Sequence, residues 1–141
     1  MADAAGMTIT DLQAMLAEVF AAWVPELSLQ VEAVRPAEVD LLLPVAPRHV
    51  HGGGVVCGQT LMAASDTAMV LAVSNQLGGF RPMTTVQLQS SFLRPIAGTD
   101  THARIVARVL RMGKNLAFGE IEVLDAQGRL ATHSTTTYAL L

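Results

Sequence analysis

Apolar residues recur at helical spacing early in the chain: Leu12, Met15, Leu16, Val19, Phe20 and Trp23. That spacing predicts an amphipathic helix over about 8–24, laid on something apolar. Thr8 and Asp11 make a capping-box-like start, with Asp in place of the usual Glu, and Pro25 predicts the end. Two strands are predicted near 28–35 and 37–44, turning at Arg35-Pro36-Ala37 and closed by Pro44 and Pro47. From about 58 to 76 the chain is small and apolar nearly all round, which predicts a buried helix stopped by Gly78-Gly79. Four strand-like segments follow, near 82–94, 99–112, 115–125 and 129–140. Their joints, Ala97-Gly98, Gly113-Lys114 and Ala126-Gln127-Gly128, suit tight hairpins and so predict mostly antiparallel neighbours. The expected architecture is α+β, with one curved antiparallel sheet wrapped around a central buried helix and an additional N-terminal helix. A two-layer sandwich would expose one face of the second helix, where charges belong. Asp66 is the only charge there.

The length of 141 residues predicts a single domain over 1–141. Half the chain is apolar but few residues are aromatic, so the core is built from Ala, Val, Leu and Met. So large an apolar share predicts that some surface covers a second subunit. Cys57 is alone, which excludes an intrachain disulfide. The start lacks the basic and apolar regions of a secretory leader, and the most apolar stretch, Leu61 to Val73, is too short to span a bilayer. No membrane association and a cytoplasmic location are therefore expected. The net charge of −3 is uneven: residues 81–114 carry Arg81, Arg94, Arg104, Arg108, Arg111 and Lys114 against Asp100 alone. A basic segment in an acidic protein can face a phosphorylated ligand. Nucleic acid fits poorly, because no basic-aromatic module is present. His49, His102 and His133 have no metal-ligand spacing with Cys57, so no metal is expected.

The chemistry concentrates around Asp66, the only formal charge between Val50 and Phe80. Burying an isolated carboxylate costs several kcal/mol unless something compensates it. Just upstream, the glycine-rich loop His51-Gly-Gly-Gly-Val-Val-Cys-Gly58 runs into the helix start. A helix start offers unpaired N–H groups to an anion. Asp66 is thus a candidate base or nucleophile, and the Gly58 N–H a candidate oxyanion donor. The two lie eight positions apart on one helix, or ~12 Å along its axis. An attacking atom must come within ~3–3.5 Å of the carbonyl carbon. If both act on one carbonyl they must come from different subunits, as in a two-fold dimer. Cys57 stands at a helix N-terminus, but no partner base lies at fixed spacing, so packing is its expected role.

The order of elements and these residues resemble the hotdog fold, and more closely the phenylacetyl-CoA (PaaI-type) acyl-CoA thioesterases. That family carries Asn-x-x-Gly-x-x-His-Gly-Gly and a catalytic acid nine residues after the His. Here the same spacing reads His51-x-x-Gly54-x-x-Cys57-Gly58-Gln59, then Asp66. Further matches are Phe92-Leu93-Arg94-Pro95, Gly98-Thr99 and Gly113-Lys114-Asn-Leu-Ala-Phe118, so the resemblance covers roughly 40–140. His51, Cys57 and Gln59 depart from the family's Asn, His and Gly. The resemblance implies a hydrolase of acyl- or aryl-CoA thioesters, a homodimer or dimer of dimers, with no cofactor. It implies that Thr85, or its neighbour Thr84, steadies the attacking water, and that His51 stands where the family's Asn holds loop or thioester. Arg94 and Lys114 would lie near the CoA channel. Arg81, Arg111 and Asn115 join them as candidate phosphate contacts, and Gln59 as a candidate ligand contact. Val55, Val56, Met62, Met69 and Phe80 are candidate linings of an acyl pocket. A hydratase on this fold would need His where the chain has Leu71. A non-catalytic acyl-CoA-binding or regulatory module is the alternative that the three departures favour.

Overall fold

A computed structural model of the protein describes residues 6–141; the opening residues, read above against a secretory leader, lie outside them. Helix α1 (Ile9–Glu18) begins as its sequence predicts. Asp11 N–H donates to the Thr8 hydroxyl at 3.0 Å and Thr8 N–H donates to the Asp11 carboxylate at 3.0 Å. The helix buries Leu12, Met15 and Leu16 but ends well short of Pro25. Its carbonyls are already capped at Val19, and Pro25 instead opens a 3-10 turn, Val24–Leu27. Pro is accepted in such a first turn, where its missing N–H costs nothing. Trp23, expected on the apolar face of the helix, therefore projects outward and is half exposed.

Six strands follow in one antiparallel sheet: β1 (Gln30–Arg35), β2 (Glu38–Pro44), β3 (Met83–Phe92), β4 (His102–Met112), β5 (Leu116–Leu124) and β6 (Leu130–Leu140). Their order across the sheet is β1-β2-β4-β5-β6-β3. The β4–β5 and β5–β6 joints are hairpins, as the turn residues predict. The Ala97-Gly98 joint is not, because β3 pairs along its length with β6 and lies at the far edge from β2. Gly98 serves a different contact. Its N–H donates to the Gly54 carbonyl at 2.8 Å, and a Cβ there would sit 2.7 Å from Val50. Only a glycine lets the 93–101 crossing lie this close to the glycine-rich loop.

Helix α2 (Gly58–Leu77) packs against the face of the sheet formed by β2, β4 and β5. Leu61, Ala64, Ala68, Leu71 and Ala72 bury there against Leu41, Ile105 and Ile121. The helix is not hidden all round. Gln59 is exposed, and Met62, Ala63, Asp66 and Val70 are half-buried along one stripe. The reason is geometric: a single sheet curls over part of a helix and leaves a side open, and no other element among the described residues covers it. At the C-terminal end of α2 the Asn75 amide donates to the Arg35 carbonyl and accepts from Met7 N–H, so the helix is tied to both N-terminal elements.

The close seat of α2 depends on Gly119 in β5. A Cβ at Gly119 would lie 2.4 Å from the Met69 sulfur and 2.8 Å from the Arg108 carbonyl. Met69 is fully buried one turn beyond Asp66. Overpacking of this kind costs about 1–3 kcal/mol. Gly119→Ala should therefore lower the unfolding free energy by that amount, seen as a lower urea midpoint with an unchanged denaturant slope; an unchanged midpoint would mean the contact relaxes freely.

Candidate active site

Asp66 reaches the open stripe of α2, where its partners are hydroxyl groups rather than cations. Thr85 Oγ1 donates to Oδ1 at 3.1 Å and approaches Oδ2 at 3.4 Å. The Tyr138 hydroxyl lies 2.8 Å from the Asp66 backbone carbonyl and also donates to Oδ1. Among the described residues no Lys, Arg or His forms an ion pair with it. Tyr138 is only 1% exposed. Burial, then the Asp66 charge and its hydrogen bond, push the phenol well above its ordinary value, so it stays a proton donor.

A β-bulge aims Thr85. Thr85 pairs with Tyr138 and Gln87 with the next residue, Thr137, so Val86 is an extra residue in β3. Val86 is thrown outward and Thr85 faces the helix. The Thr136 hydroxyl donates to the Gln87 carbonyl at 2.8 Å and pins the bulge. Thr84 pairs with Ala139 and makes no contact with Asp66 among the hydrogen bonds of the described residues. Tyr138 has no counterpart in the sequence reading. The signal was present as the only tyrosine of the chain, on an inward position of a strand, but nothing local shows which helix residue it meets.

Gly58 stands at the first turn of α2, with Cys57 as the extended N-cap. Its N–H has no acceptor among the described residues, as first-turn donors do not. Two neighbouring N–H groups are used up: Val56 donates to Ile96 O and Cys57 to His49 O. The Phe92 ring lies over Gly58, 3.3 Å from where a Cβ would stand. A cavity of about 320 Å³ opens beside it, lined by Val55, Leu61, Phe92, Leu93 and Arg94. Val55 and Val56, two of the candidate acyl-lining residues, both line this cavity; Met69 is sealed against Gly119, and Phe80 lies beyond the opposite end of α2.

The expected site residues separate into two groups at opposite ends of β3. Asp66 and Thr85 lie near its start, with Arg81 just before the strand. Lys114 and Asn115 share that end, since Leu140 N–H donates to Asn115 O and Leu140 pairs with Met83. Gly58, Gln59, His51 and Arg94 lie at the other end. His51 is exposed and its Nδ1 accepts from Gly53 N–H at 2.9 Å, so its ring closes the glycine-rich loop. Gln59 is exposed on the rim of a separate cavity of about 430 Å³ shared with Trp23, Arg48 and His49. A further concavity, about 770 Å³, lies at the C-terminal end of α2 around Met7, Arg35 and Asn75, away from both groups. It offers no base or nucleophile, so its size carries no chemistry. Arg104 pairs with Glu32, and Arg108 with Glu38 and Glu122, on the outer sheet face. Arg81, Arg94, Arg111 and Lys114 have no ion-pair partner among the described residues.

Residues 49–132, from the glycine-rich loop into β6, match the thioesterase superfamily. The chain belongs to that superfamily. A Thermoplasma volcanium protein named "Putative esterase" is 30% identical over 122 residues, 81% of this chain and 84% of its own. A solved thioesterase from Haemophilus influenzae superposes with a TM-score of 0.84 at 20% identity, covering 96% of this chain and 91% of that one. The E. coli PaaI protein from the phenylacetic acid degradation operon superposes at 0.82 with 19% identity, covering 94% and 91%. The sheet order and central helix are thus those of hotdog-fold thioesterases, and the superfamily's general activity is thioester hydrolysis. No helix among the described residues is long and apolar enough to cross a membrane.

Cys57 tests the electrostatics of this helix start. The Thr60 hydroxyl, 3.1 Å from Sγ, is the main cause holding the thiol below its ordinary value. A donor to sulfur favours the thiolate, so Thr60→Val should raise the thiol's pKa and slow iodoacetamide alkylation several-fold at pH 7.5. Equal rates would remove Thr60 as the cause.

Proposed function

We propose that the protein is an acyl-CoA thioesterase of the PaaI type, working as a two-fold homodimer, alone or as a dimer of dimers, with each site shared between subunits. The observation that carries this reading is a half-buried carboxylate held by two hydroxyls and no cation, on the one open stripe of the central helix. An acid kept for structure is normally paired. An acid kept for chemistry needs a free face.

The other half of the chemistry is Gly58, and the same subunit cannot bring it to Asp66's substrate. A second copy can. Of the two sheet edges, β1 is partly blunted, because Gln13 bonds Leu29 O and Val31 N–H. The β3 edge is open and carries exposed Val86, Phe92 and Leu93. Open apolar edges invite strand pairing. Two β3 strands paired antiparallel would set the Asp66 end of each subunit against the Gly58 end of its partner. The two separated groups of residues then become one site, and each dimer has two.

In that site Asp66 of one subunit takes a proton from water, or attacks the thioester carbon itself. Either step puts negative charge on the carbonyl oxygen, and the partner's unpaired Gly58 N–H is placed to receive it, aided by the helix dipole. On the base route, collapse breaks the carbon–sulfur bond and the proton held by Asp66 passes to the sulfur, releasing the acid and the CoA thiol. On the direct route, collapse expels the CoA thiolate and leaves a mixed anhydride on Asp66, which water then hydrolyses to the acid and the free carboxylate. Thr85 holds the carboxylate, and His51 shapes the loop before Gly58. Arg81, Lys114 and Asn115 from one subunit and Arg94 and Gln59 from the other flank the channel, where free cations suit the CoA phosphates. No cofactor enters this scheme.

Thiol release from aliphatic and aromatic acyl-CoAs checks the activity: wild type should turn over and Asp66→Asn should lose at least about a hundredfold. Binding without release would favour the non-catalytic module instead. Against a Gly58→Ala control, which puts the same Cβ 3.3 Å from the Phe92 ring, Gly58→Pro additionally deletes the N–H, and Pro suits the first helical position after an extended Cys57. It should cost about a hundredfold or more in kcat. Purified heterodimers of Asp66→Asn and Gly58→Pro should recover about half the wild-type rate, since one site of two is intact. Absence of recovery would rule out a shared site.

A further inference from the structure

We infer that Tyr138 is a positioning residue that commits Asp66 to react through one oxygen, Oδ2. The inference rests on the proposed role of Asp66 and assigns a residue that role did not need. The argument begins with the count of protons. Oδ1 faces two hydroxyl donors, Tyr138 and, at 3.1 Å, Thr85. Oδ2 has only the longer 3.4 Å approach of Thr85, whose single proton is better used on Oδ1. Oδ1 is therefore occupied and Oδ2 keeps lone pairs for water or a carbonyl carbon.

Placement makes Tyr138 the stronger of the two donors. It comes from β6, beneath the helix, while Thr85 is on the sheet edge. Its ring is buried, so water does not compete for the phenol, whereas Thr85 is exposed. The Tyr138 oxygen lies 2.8 Å from the Asp66 main-chain carbonyl as well as against the side chain, and its one proton is shared between these two acceptors. That shared bond holds the carboxylate near its own backbone and fixes the rotamer. A carboxylate free to rotate would present either oxygen and lose the alignment that a near-attack geometry needs.

The test uses Tyr138→Phe in the full-length protein. Its kcat for the best acyl-CoA should fall at least about tenfold with KM within about twofold. A folded variant that keeps its kcat, or in which kcat and KM worsen together, would overturn the proposal, because a merely packing role would disturb binding as much as turnover. The chain has one tyrosine, so 3-fluorotyrosine labels this position alone and covers the case in which Tyr138→Phe does not fold. Its ¹⁹F resonance should move in labelled Asp66→Asn, because the phenol's hydrogen-bond acceptor changes from a carboxylate to an amide. A resonance that ignores Asp66 would overturn the link. Loss of hydrolysis in Asp66→Asn alongside an inert Tyr138 would sink this inference and leave the proposed function standing. Full activity in Asp66→Asn would sink both.

Discussion

The arrangement of this molecule turns on how one carboxylate is satisfied. Asp66 is held by hydroxyls from the strands beside and beneath it, Thr85 and Tyr138, and not by a cation. An ion pair would have quenched its charge, and full burial without donors would have forbidden it. Two neutral donors leave it oriented and reachable. That balance requires α2 to sit at a set height over the sheet, which is why β5 carries a glycine beneath Met69. It also requires a bulge in β3, without which Thr85 would not face the helix at this position.

The same economy governs the rest of the surface. On the outer sheet face, Arg35, Arg104 and Arg108 are absorbed by Glu32, Glu38, Asp40 and Glu122. Such exposed pairs stabilise little, but they divide the cations into engaged and free. Arg94, Arg111 and Lys114, without an ion-pair partner among the described residues, and Arg81, whose Nε donates to the Leu141 carbonyl at 3.2 Å, lie at the ends of strands, away from that network. The basic middle segment of the sequence is therefore two different things in three dimensions: strand arginines in a charge ladder, and end-of-strand cations outside it. The glycine-rich loop shows a similar division. Gly98 brings the crossing segment against it, the His51 ring closes it, and the Gly58 N–H is left over.

Much of this was legible along the chain, because hydrophobic period, caps and turn residues are local. They located every strand to within a few residues, both hairpins after β4, the capping box of α1 and the extent of α2. Spacing alone also fixed that Asp66 and Gly58 are too far apart to share a carbonyl in one subunit, since rise per residue is a property of any helix. Tertiary structure decided what local pattern cannot encode. The edge position of β3 came from pairing across about 50 residues of sequence, and it turned an expected hairpin into a crossing. The open stripe of α2 came from the limited reach of one curved sheet. Trp23 turned outward because the helix was capped before the proline could stop it. Tyr138 found Asp66 over 72 positions of chain, a contact set by how two distant elements pack and by nothing in the residues flanking either one.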